Sequence, residues 1–270
     1  MREQPESLKM KANYHTHTSR CGHASGRDEQ YVLSAAACGF EELGFSDHVP
    51  WPYASGFVNP SVRMPMKLMD DYLSSIRALK EKYAGKINIL TGFECEYYPQ
   101  YMNWLAEMKQ EKQLDYLILG NHYDESDETG IYFGASRTVQ DISRYVRSTI
   151  KGIETGLFSY LAHPDLYMRR YPKFDENCRA AAHDLCQACK ENNLPMEYNL
   201  HDRYVCYMSR HTGYPHPDFF EIVQSYGVDV IIGVDAHEPE EIGDPTQWDL
   251  AERELRKFTG SKRIEKLTLR

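Results

Sequence analysis

Two histidines near the start of the chain, His15 and His17, are separated by a single threonine. In a β-strand alternate side chains point to the same face, so both imidazoles would project together. Imidazole nitrogen is a good ligand for zinc and related metals, which makes such a pair a ready grip on a divalent ion. His23 follows in the short motif Cys21-Gly22-His23, close enough to reach the same pocket. Because short motifs often match by chance, the rest of the chain must decide whether these are ligands or ordinary surface histidines.

The elements that would position these residues recur along the chain as an apolar strand, a polar loop and an amphipathic helix. The predicted strands are Ala12–His17, Glu42–Asp47, Ile87–Glu96, Tyr116–Asn121, Phe158–His163, Met196–Asn199 and Val228–Asp235. The predicted helices lie near Glu29–Gly39, Lys67–Lys82, Tyr101–Glu111, Val139–Glu154, Asn177–Asn192, Asp218–Ser225 and Gln247–Phe258. This alternation predicts an α/β fold of parallel strands joined by helical crossovers. A closed or nearly closed barrel is the economical solution for seven strands, and an open doubly wound sheet is the alternative.

Every predicted strand carries a polar or metal-competent group at or just after its carboxyl end. In a barrel this is the end where the βα loops converge on an active site. The candidate metal ligands found there are His15, His17, His23, His48, Glu94, His122, His163, Asp235 and His237. We predict that these nine side chains form one metal site, rather than a set of buried hydrogen-bonding histidines.

Nine candidates exceed the needs of one zinc ion, which usually takes three protein ligands and a water molecule at a catalytic site. The number suits two or three divalent metals. Glu94 is the candidate bridge between two of them, because a carboxylate has two oxygens. Glu96 points to the same side of the strand and either supports a ligand or simply continues the strand. Such sites are typical of phosphate-ester hydrolysis, since the metals supply a nucleophile and offset charge on the phosphoryl group.

Composition excludes several other classes of protein. The chain has 270 residues, 41% of them hydrophobic, and a net charge of -9, which does not suit a non-specific nucleic-acid binder. No apolar run approaches the ~20 residues that span a bilayer, and the first residues do not resemble a signal peptide. The seven cysteines are odd in number and form no disulfide framework. We therefore expect a reduced, cytoplasmic protein with a small-molecule substrate, no nucleic acid and no membrane partner; the oligomeric state is left open.

Two loops are candidates to enclose the site. The excursion 49–65 is rich in proline and aromatic residues, and 124–137 is a second polar loop. Each is interpreted either as a wall or lid of the pocket or as a packed surface loop.

Taken in order, the strand-end motifs resemble the polymerase-and-histidinol-phosphatase (PHP) superfamily of metal-dependent phosphoesterases. The matching elements are His15-Thr16-His17 with His23, Asp47-His48, Gly92-Phe93-Glu94, Asn121-His122, His163-Pro164 and Asp235-Ala236-His237. Within the superfamily, stretches such as 154–166 and 196–200 are most similar to the monofunctional histidinol-phosphate phosphatases. Two departures are Asn121, where Gln is common, and His201-Asp202-Arg203, which replaces a familiar Leu-Gly-Leu-Arg form.

The resemblance implies a distorted (β/α)7 TIM-like barrel, a single domain over residues 1–270. It implies zinc, manganese or iron as cofactors, and hydrolysis of L-histidinol phosphate to L-histidinol and phosphate by a hydroxide that bridges two metals. It assigns His15, His17, Glu94 and Asp235 to a first metal, Glu94, His122 and His163 to a second, and His23, His48 and His237 to a third. Glu94, Asp235 and His237 are then the candidate catalytic residues.

Substrate contacts are a separate prediction from the ligands. Arg203 is the first candidate for a phosphate contact, followed by Arg210 and Arg137, because a guanidinium matches phosphate oxygens in a bidentate manner. Glu197 and Asp165 are candidates to pair with a substrate amine.

Three alternatives remain at this point. The chain could act on another phosphomonoester, a nucleotide or phosphotyrosine; it could be a metal-dependent amidohydrolase, which also begins with His-x-His on a barrel strand; or it could be a non-catalytic metal-binding domain.

Overall fold

Parallel strands form two sheets in the computed structural model, which describes residues 10–201 and 213–269. Within these residues the first sheet has the order β1 (Ala12–Asn13), β2 (Glu42–Phe45), β3 (Asn88–Cys95) and β4 (Tyr116–Leu119). The second sheet pairs β5 (Met196–Asn199) with β6 (Val230–Gly233). All of these pairings are parallel, as the alternation of strands and helices predicted.

Within the described residues, seven helices follow the strands as predicted, with small differences at their ends, and a short eighth helix over 239–243 was not predicted. They are α1 (Asp28–Ala37), α2 (Met69–Lys82), α3 (Met102–Glu111), α4 (Val139–Glu154), α5 (Glu176–Glu191), α6 (Pro217–Tyr226), α7 (Pro239–Gly243) and α8 (Pro245–Leu255). Local chemistry explains several boundaries. Thr138 caps α4 by accepting a hydrogen bond from the backbone N–H of Asp141, and Gly227 ends α6 in a left-handed conformation with φ +62°.

Segment 158–163, which was predicted as the fifth of seven strands, differs from that prediction. It makes only isolated parallel bridges, in which Leu161 pairs with Leu119 of β4 and with Met196 of β5. Backbone hydrogen bonds join the segment to both neighbours, such as Ala162 N–H to Leu119 O and Leu161 N–H to Pro195 O, each at 3.0 Å, but its bridges are confined to Leu161. A further bridge joins Thr16 to Ala236, so the chain beyond β6 returns to the first strand. The described residues therefore contain six strands instead of seven, in two parallel sheets that the bridges of Leu161 connect into one curled arrangement.

Alternation along the strands separates two apolar layers. The larger layer lies between the strands and the helices and includes Ile89 and Phe93 of β3. The smaller layer lies on the opposite face and contains Tyr14, Leu90 and Tyr116 among others, with Tyr116 donating its hydroxyl to the carbonyl of Tyr14 at 2.7 Å. Side chains of the same parity at the end of β3 and directly after it continue this inner face. Glu94 and Glu96 therefore point away from the helices, toward the carboxyl ends of the strands.

Within the described residues, no helix is both long and apolar enough to cross a membrane.

Candidate metal centre

The structure brings the nine predicted ligands into one cluster where the strands end. Five of them are almost completely buried: His15, His17, His163 and Glu94 are 0–1% exposed, and His48 is 5% exposed. His23 is the most exposed of the nine and lies at the rim. The ligands converge although the first strand is short. β1 ends at Asn13, before His15 and His17. The hydrogen bond from His17 N–H to Ala236 O at 2.9 Å instead holds the His15-Thr16-His17 segment against the chain beyond β6.

Glu94 stands at the centre of the cluster, with its two oxygens facing different imidazoles. Oε1 lies 2.8 Å from His163 Nε2 and 3.5 Å from His122 Nε2. Oε2 lies 3.1 Å from His48 Nδ1 and 3.4 Å from His15 Nε2. Each oxygen of Glu94 therefore lies beside a different set of imidazole nitrogens.

Asp235 approaches the same cluster from β6. Its Oδ1 atom lies 3.3 Å from His15 Nε2 and 3.1 Å from His17 Nε2. The ring of His237 stacks on the ring of His17, with 4.4 Å between centroids, and lies 4.6 Å from the ring of His23. His48 lies within reach of both His23 and Glu94, so it is central to the cluster and not confined to one corner.

Several of these histidines contact a carboxylate or carbonyl oxygen through Nδ1. Nδ1 of His15 lies 2.8 Å from Glu197 Oε1, and Nδ1 of His122 lies 3.3 Å from Glu96 Oε1. Backbone carbonyls serve the same purpose for His23 and His237. A partner at Nδ1 fixes the ring orientation and leaves Nε2 directed inward, as is usual for metal-bound imidazoles.

The charges of the cluster suit cations. Burial opposes protonation of His15, but Asp235, Glu197 and Glu94 together raise its pKa well above the ordinary value. Burial also opposes ionisation of Asp235, yet the surrounding histidines hold its pKa well below the usual range. The histidines around Asp235 thus hold its carboxylate in the charged form, which is the form that binds a cation.

Unsatisfied atoms within the cluster indicate that its residues fit divalent metals. Buried atoms that make no hydrogen bond in the described part of the chain include His15 Nε2, His48 Nδ1, His163 Nδ1 and Glu94 Oε2. Buried polar atoms normally have hydrogen-bond partners. This group of nitrogen and oxygen atoms without such partners is therefore suited to bind metal ions. Groups of three ligand atoms lie within 4.8 Å of one another, including His15, His17 and Glu94.

Two of the ligands hold an uncommon backbone conformation. His163 has φ +28° and Asp235 has φ +54°, in the left-handed region that side chains other than glycine rarely adopt. Conformations of this kind cost about 1–3 kcal/mol and concentrate at functional sites, because the surrounding structure must impose them.

A cavity of about 270 Å³ opens above the cluster, a size suited to a small ligand. Beyond the ligands, its wall is formed by residues of loop 49–65, of loop 124–137 and the residue before it, of the chain after segment 158–163, and of the chain after β5. These additional lining residues are Ser61, Val62, Tyr123, Tyr132, Leu166, Arg169, His201 and Tyr214. The loops 49–65 and 124–137 therefore contribute to the pocket wall.

Among the described residues, none of the predicted substrate-contact residues lines the cavity. Arg203 and Arg210 lie outside the described residues. Arg137 is exposed at the beginning of α4 and does not line the cavity. Glu197 and Asp165 are fully buried outside the cavity lining, and Glu197 is bonded to His15 Nδ1 and to the backbone N–H of His163. The prediction that Glu197 pairs with a substrate amine is therefore wrong, because its buried carboxylate is already bonded to His15 and His163.

Arg169 is a charged cavity residue that sequence reasoning missed. It follows His163 by six positions, in a short 3-10 helix over Leu166–Arg169, and its Nη1 donates to the Tyr132 hydroxyl at 2.7 Å. The available signal was its place in the loop after a ligand-bearing segment, where barrels commonly carry substrate contacts.

Comparison with known proteins agrees with this geometry. The PHP domain family matches residues 13–201. Curated relatives include a probable histidinol-phosphatase of Deinococcus radiodurans, 25% identical over 85% of this chain and 87% of its own length, and the histidinol-phosphatase of Bacillus subtilis, 23% identical over 86% and 96%. A crystal structure of histidinol phosphate phosphatase from Lactococcus lactis, complexed with Zn, L-histidinol and phosphate, shares the fold with a TM-score of 0.72 at 18% identity, over 96% of this chain and 99% of that one. The resemblance inferred from the strand-end motifs is confirmed, and the chain belongs to the PHP domain family.

Proposed function

We propose that this protein is a metal-dependent phosphomonoesterase that hydrolyses L-histidinol phosphate to L-histidinol and phosphate. The observation that carries the proposal is the central position of Glu94, whose two oxygens face separate groups of imidazoles at the floor of a small cavity. Support for this substrate comes from the relatives, which match most of this chain and are named histidinol-phosphatases.

Two or three divalent ions, zinc, manganese or iron, would be held by the nine side chains. His15, His17, Glu94 and Asp235 are proposed for one ion, with His122 and His163 sharing Glu94 for another. His23, His48 and His237 are proposed for a third. When bound, such ions supply activation of water near neutral pH and stabilise the charge that develops on a phosphoryl group.

The chain's own residues have separate tasks in this scheme. Glu94 and Asp235 compensate the positive charge at the centre and keep His15 and His17 in place. His237 closes the cluster on the His23 side. Arg169 is proposed to contact the phosphoryl oxygens, because its guanidinium lines the cavity and is held by Tyr132. Arg203 and Arg210 stay candidates for the same task.

The fold proposed for this function is a distorted seven-stranded barrel in a single domain over residues 1–270. Segment 158–163 would take the place of the fifth strand through the bridges of Leu161, and the Thr16–Ala236 bridge would close the circle.

The test is phosphate release from L-histidinol phosphate by protein loaded with zinc or manganese, compared with a panel of nucleotides and phosphotyrosine. We expect the highest kcat/KM for L-histidinol phosphate, and loss of both turnover and bound metal in His17→Ala and Glu94→Ala. Undiminished turnover in both variants would refute the site. Preference for another phosphomonoester would refute the substrate while leaving the site in place.

A further inference from the structure

Arg63 is a buried charge that the proposed reaction does not use. Its side chain is 2% exposed although it arises from the proline-rich loop 49–65. The guanidinium donates to Asp127 Oδ2 through Nε at 2.7 Å and to Glu96 Oε1 through Nη2 at 2.8 Å. Nη1 contacts the Val49 carbonyl at 2.9 Å and Glu96 Oε2 at 3.3 Å. Four of its five N–H groups are thus engaged, as a buried guanidinium requires.

Glu96 connects this arginine to the metal cluster. Its carboxylate is 0% exposed and accepts from Arg63 on both oxygens. Oε2 also accepts from the indole N–H of Trp51 at 2.9 Å. The remaining capacity of Oε1 faces His122 Nδ1 at 3.3 Å, on the side of the ring opposite Nε2 and Glu94. The hydrogen bonds to Glu96 therefore fix the position of the carboxylate that contacts His122 Nδ1.

Asp127 extends the connection to the second loop of the wall. It accepts from Arg63 through Oδ2 and from the Tyr53 hydroxyl through Oδ1. Arg63 and Tyr53 lie in loop 49–65, whereas Asp127 lies in loop 124–137. The two loops that enclose the cavity are consequently joined to each other and to Glu96 by one charge network.

We propose that Glu96 and Arg63 are positioning residues for the metal centre: Glu96 orients His122 with Nε2 directed at Glu94, and Arg63 holds Glu96 while it ties both wall loops to that ligand. This inference rests on the proposed function, because it takes His122 as a ligand. A carboxylate behind a metal-bound imidazole fixes the ring orientation and raises its basicity, and loss of such a group typically weakens metal affinity about 10–100-fold.

The decisive variant is Glu96→Gln, which keeps the size of the side chain but removes its charge and one of its acceptor oxygens. We expect one metal ion to bind about 10–100-fold more weakly, measured by titration against a chromophoric chelator. Cobalt-substituted protein should show an altered absorption spectrum for that ion, and the other ions should keep their affinity.

The matched control is Glu252→Gln. Glu252 is a buried carboxylate of α8 paired with Arg263, whose backbone pairs with Val230 at the beginning of β6, at the other end of the strand from Asp235. This substitution also leaves an arginine without its carboxylate, so it reports the purely structural cost of such a loss. We expect unchanged metal affinity and an unchanged cobalt spectrum.

Comparison with His122→Ala separates this inference from the proposed function. If His122→Ala loses an ion and Glu96→Gln binds every ion normally, the positioning role is refuted and the ligand assignment stands. If His122→Ala itself keeps all ions, the ligand assignment is wrong and the positioning role fails with it. Should Glu96→Gln not fold, Arg63→Lys provides the measurement, since it keeps the charge but cannot grip Glu96 and Asp127 together. Weaker binding of the same ion is then expected, and normal affinity would overturn the proposal.

Discussion

Gly120, the residue directly after β4, is expected to be indispensable to the metal centre although it carries no side chain. A Cβ atom built at this position would lie 1.8 Å from Glu94 Oε1 and 2.4 Å from its Cδ atom. Ordinary contact with a Cβ begins at 3.4 Å, so the carboxylate of Gly120→Ala must move by about 1.6 Å, the difference between 3.4 and 1.8. Gly120 does not have a left-handed backbone, so this crowding of Glu94 is the main effect of the substitution.

The magnitude follows from the position of Glu94. A shift of this size breaks the approach of Oε1 to His163 Nε2, now 2.8 Å, and moves the proposed bridge away from both of its ions. Misplacement by about 1 Å can cost about 100-fold in rate, so we expect kcat/KM to fall at least that far, which corresponds to about 2.7 kcal/mol. Bound metal should fall at the same time.

The assay combines steady-state phosphate release with metal analysis of the purified protein, and circular dichroism verifies that the variant folds. Gly243→Ala is the control, because a Cβ there would meet Cys38 Sγ at an ordinary 3.9 Å. Activity of Gly120→Ala within about threefold of the Gly243→Ala control, with full metal content, would refute the reasoning.

Three further outcomes are expected. Gly233→Ala should displace Glu197, whose Oε1 lies 1.8 Å from the added Cβ, and should lower metal content measured by elemental analysis; normal content would contradict this. Arg169→Met should reduce kcat/KM roughly 10–150-fold, the equivalent of about 1.5–3 kcal/mol for a charged hydrogen bond, while metal content stays intact; an unchanged constant would remove Arg169 from the site. Burial opposes ionisation of Glu96, but Arg63 and His122 lower its pKa to about 2 from 4.5. Because the folded-state pKa is the lower one, the stabilisation is present above pH 4.5 and is lost as the pH falls toward 2. In urea unfolding of metal-free protein, the wild type should lose about 3 kcal/mol more than Glu96→Gln over that range, and equal losses would argue against it.

Local periodicity accounts for what could be predicted about the ligands. Side chains alternate along a strand, so the inward direction of Glu94 in β3 and of Glu96 directly after it follows from their positions. Glycines at helix ends are equally local, because a left-handed residue ends a helix whatever lies around it; Gly39 and Gly85 both have φ +79° after α1 and α2. The convergence of strand ends then follows from the barrel-like arrangement itself.

Segment 158–163 shows the limit of predicting a strand from local sequence pattern. Its apolar run is typical of a strand, but a ladder also needs neighbours in register along its whole length. Here Leu161 alone forms bridges, one on each side. That outcome depends on where β4 and β5 lie on either side of the segment, which no local window of sequence contains.

The sequence by itself determined the family, the parallel α/β plan and the set of residue types that meet at the strand ends, because these depend on short-range order and on motifs. Only the tertiary structure decided which polar groups stand behind the ligands. Glu197 lies 182 positions from the histidine that it supports, and Arg63 reaches Glu96 from a loop whose pattern shows no periodicity. Such partners are selected by the packing of distant segments against one another, and their burial, rather than their spacing, makes them part of the centre.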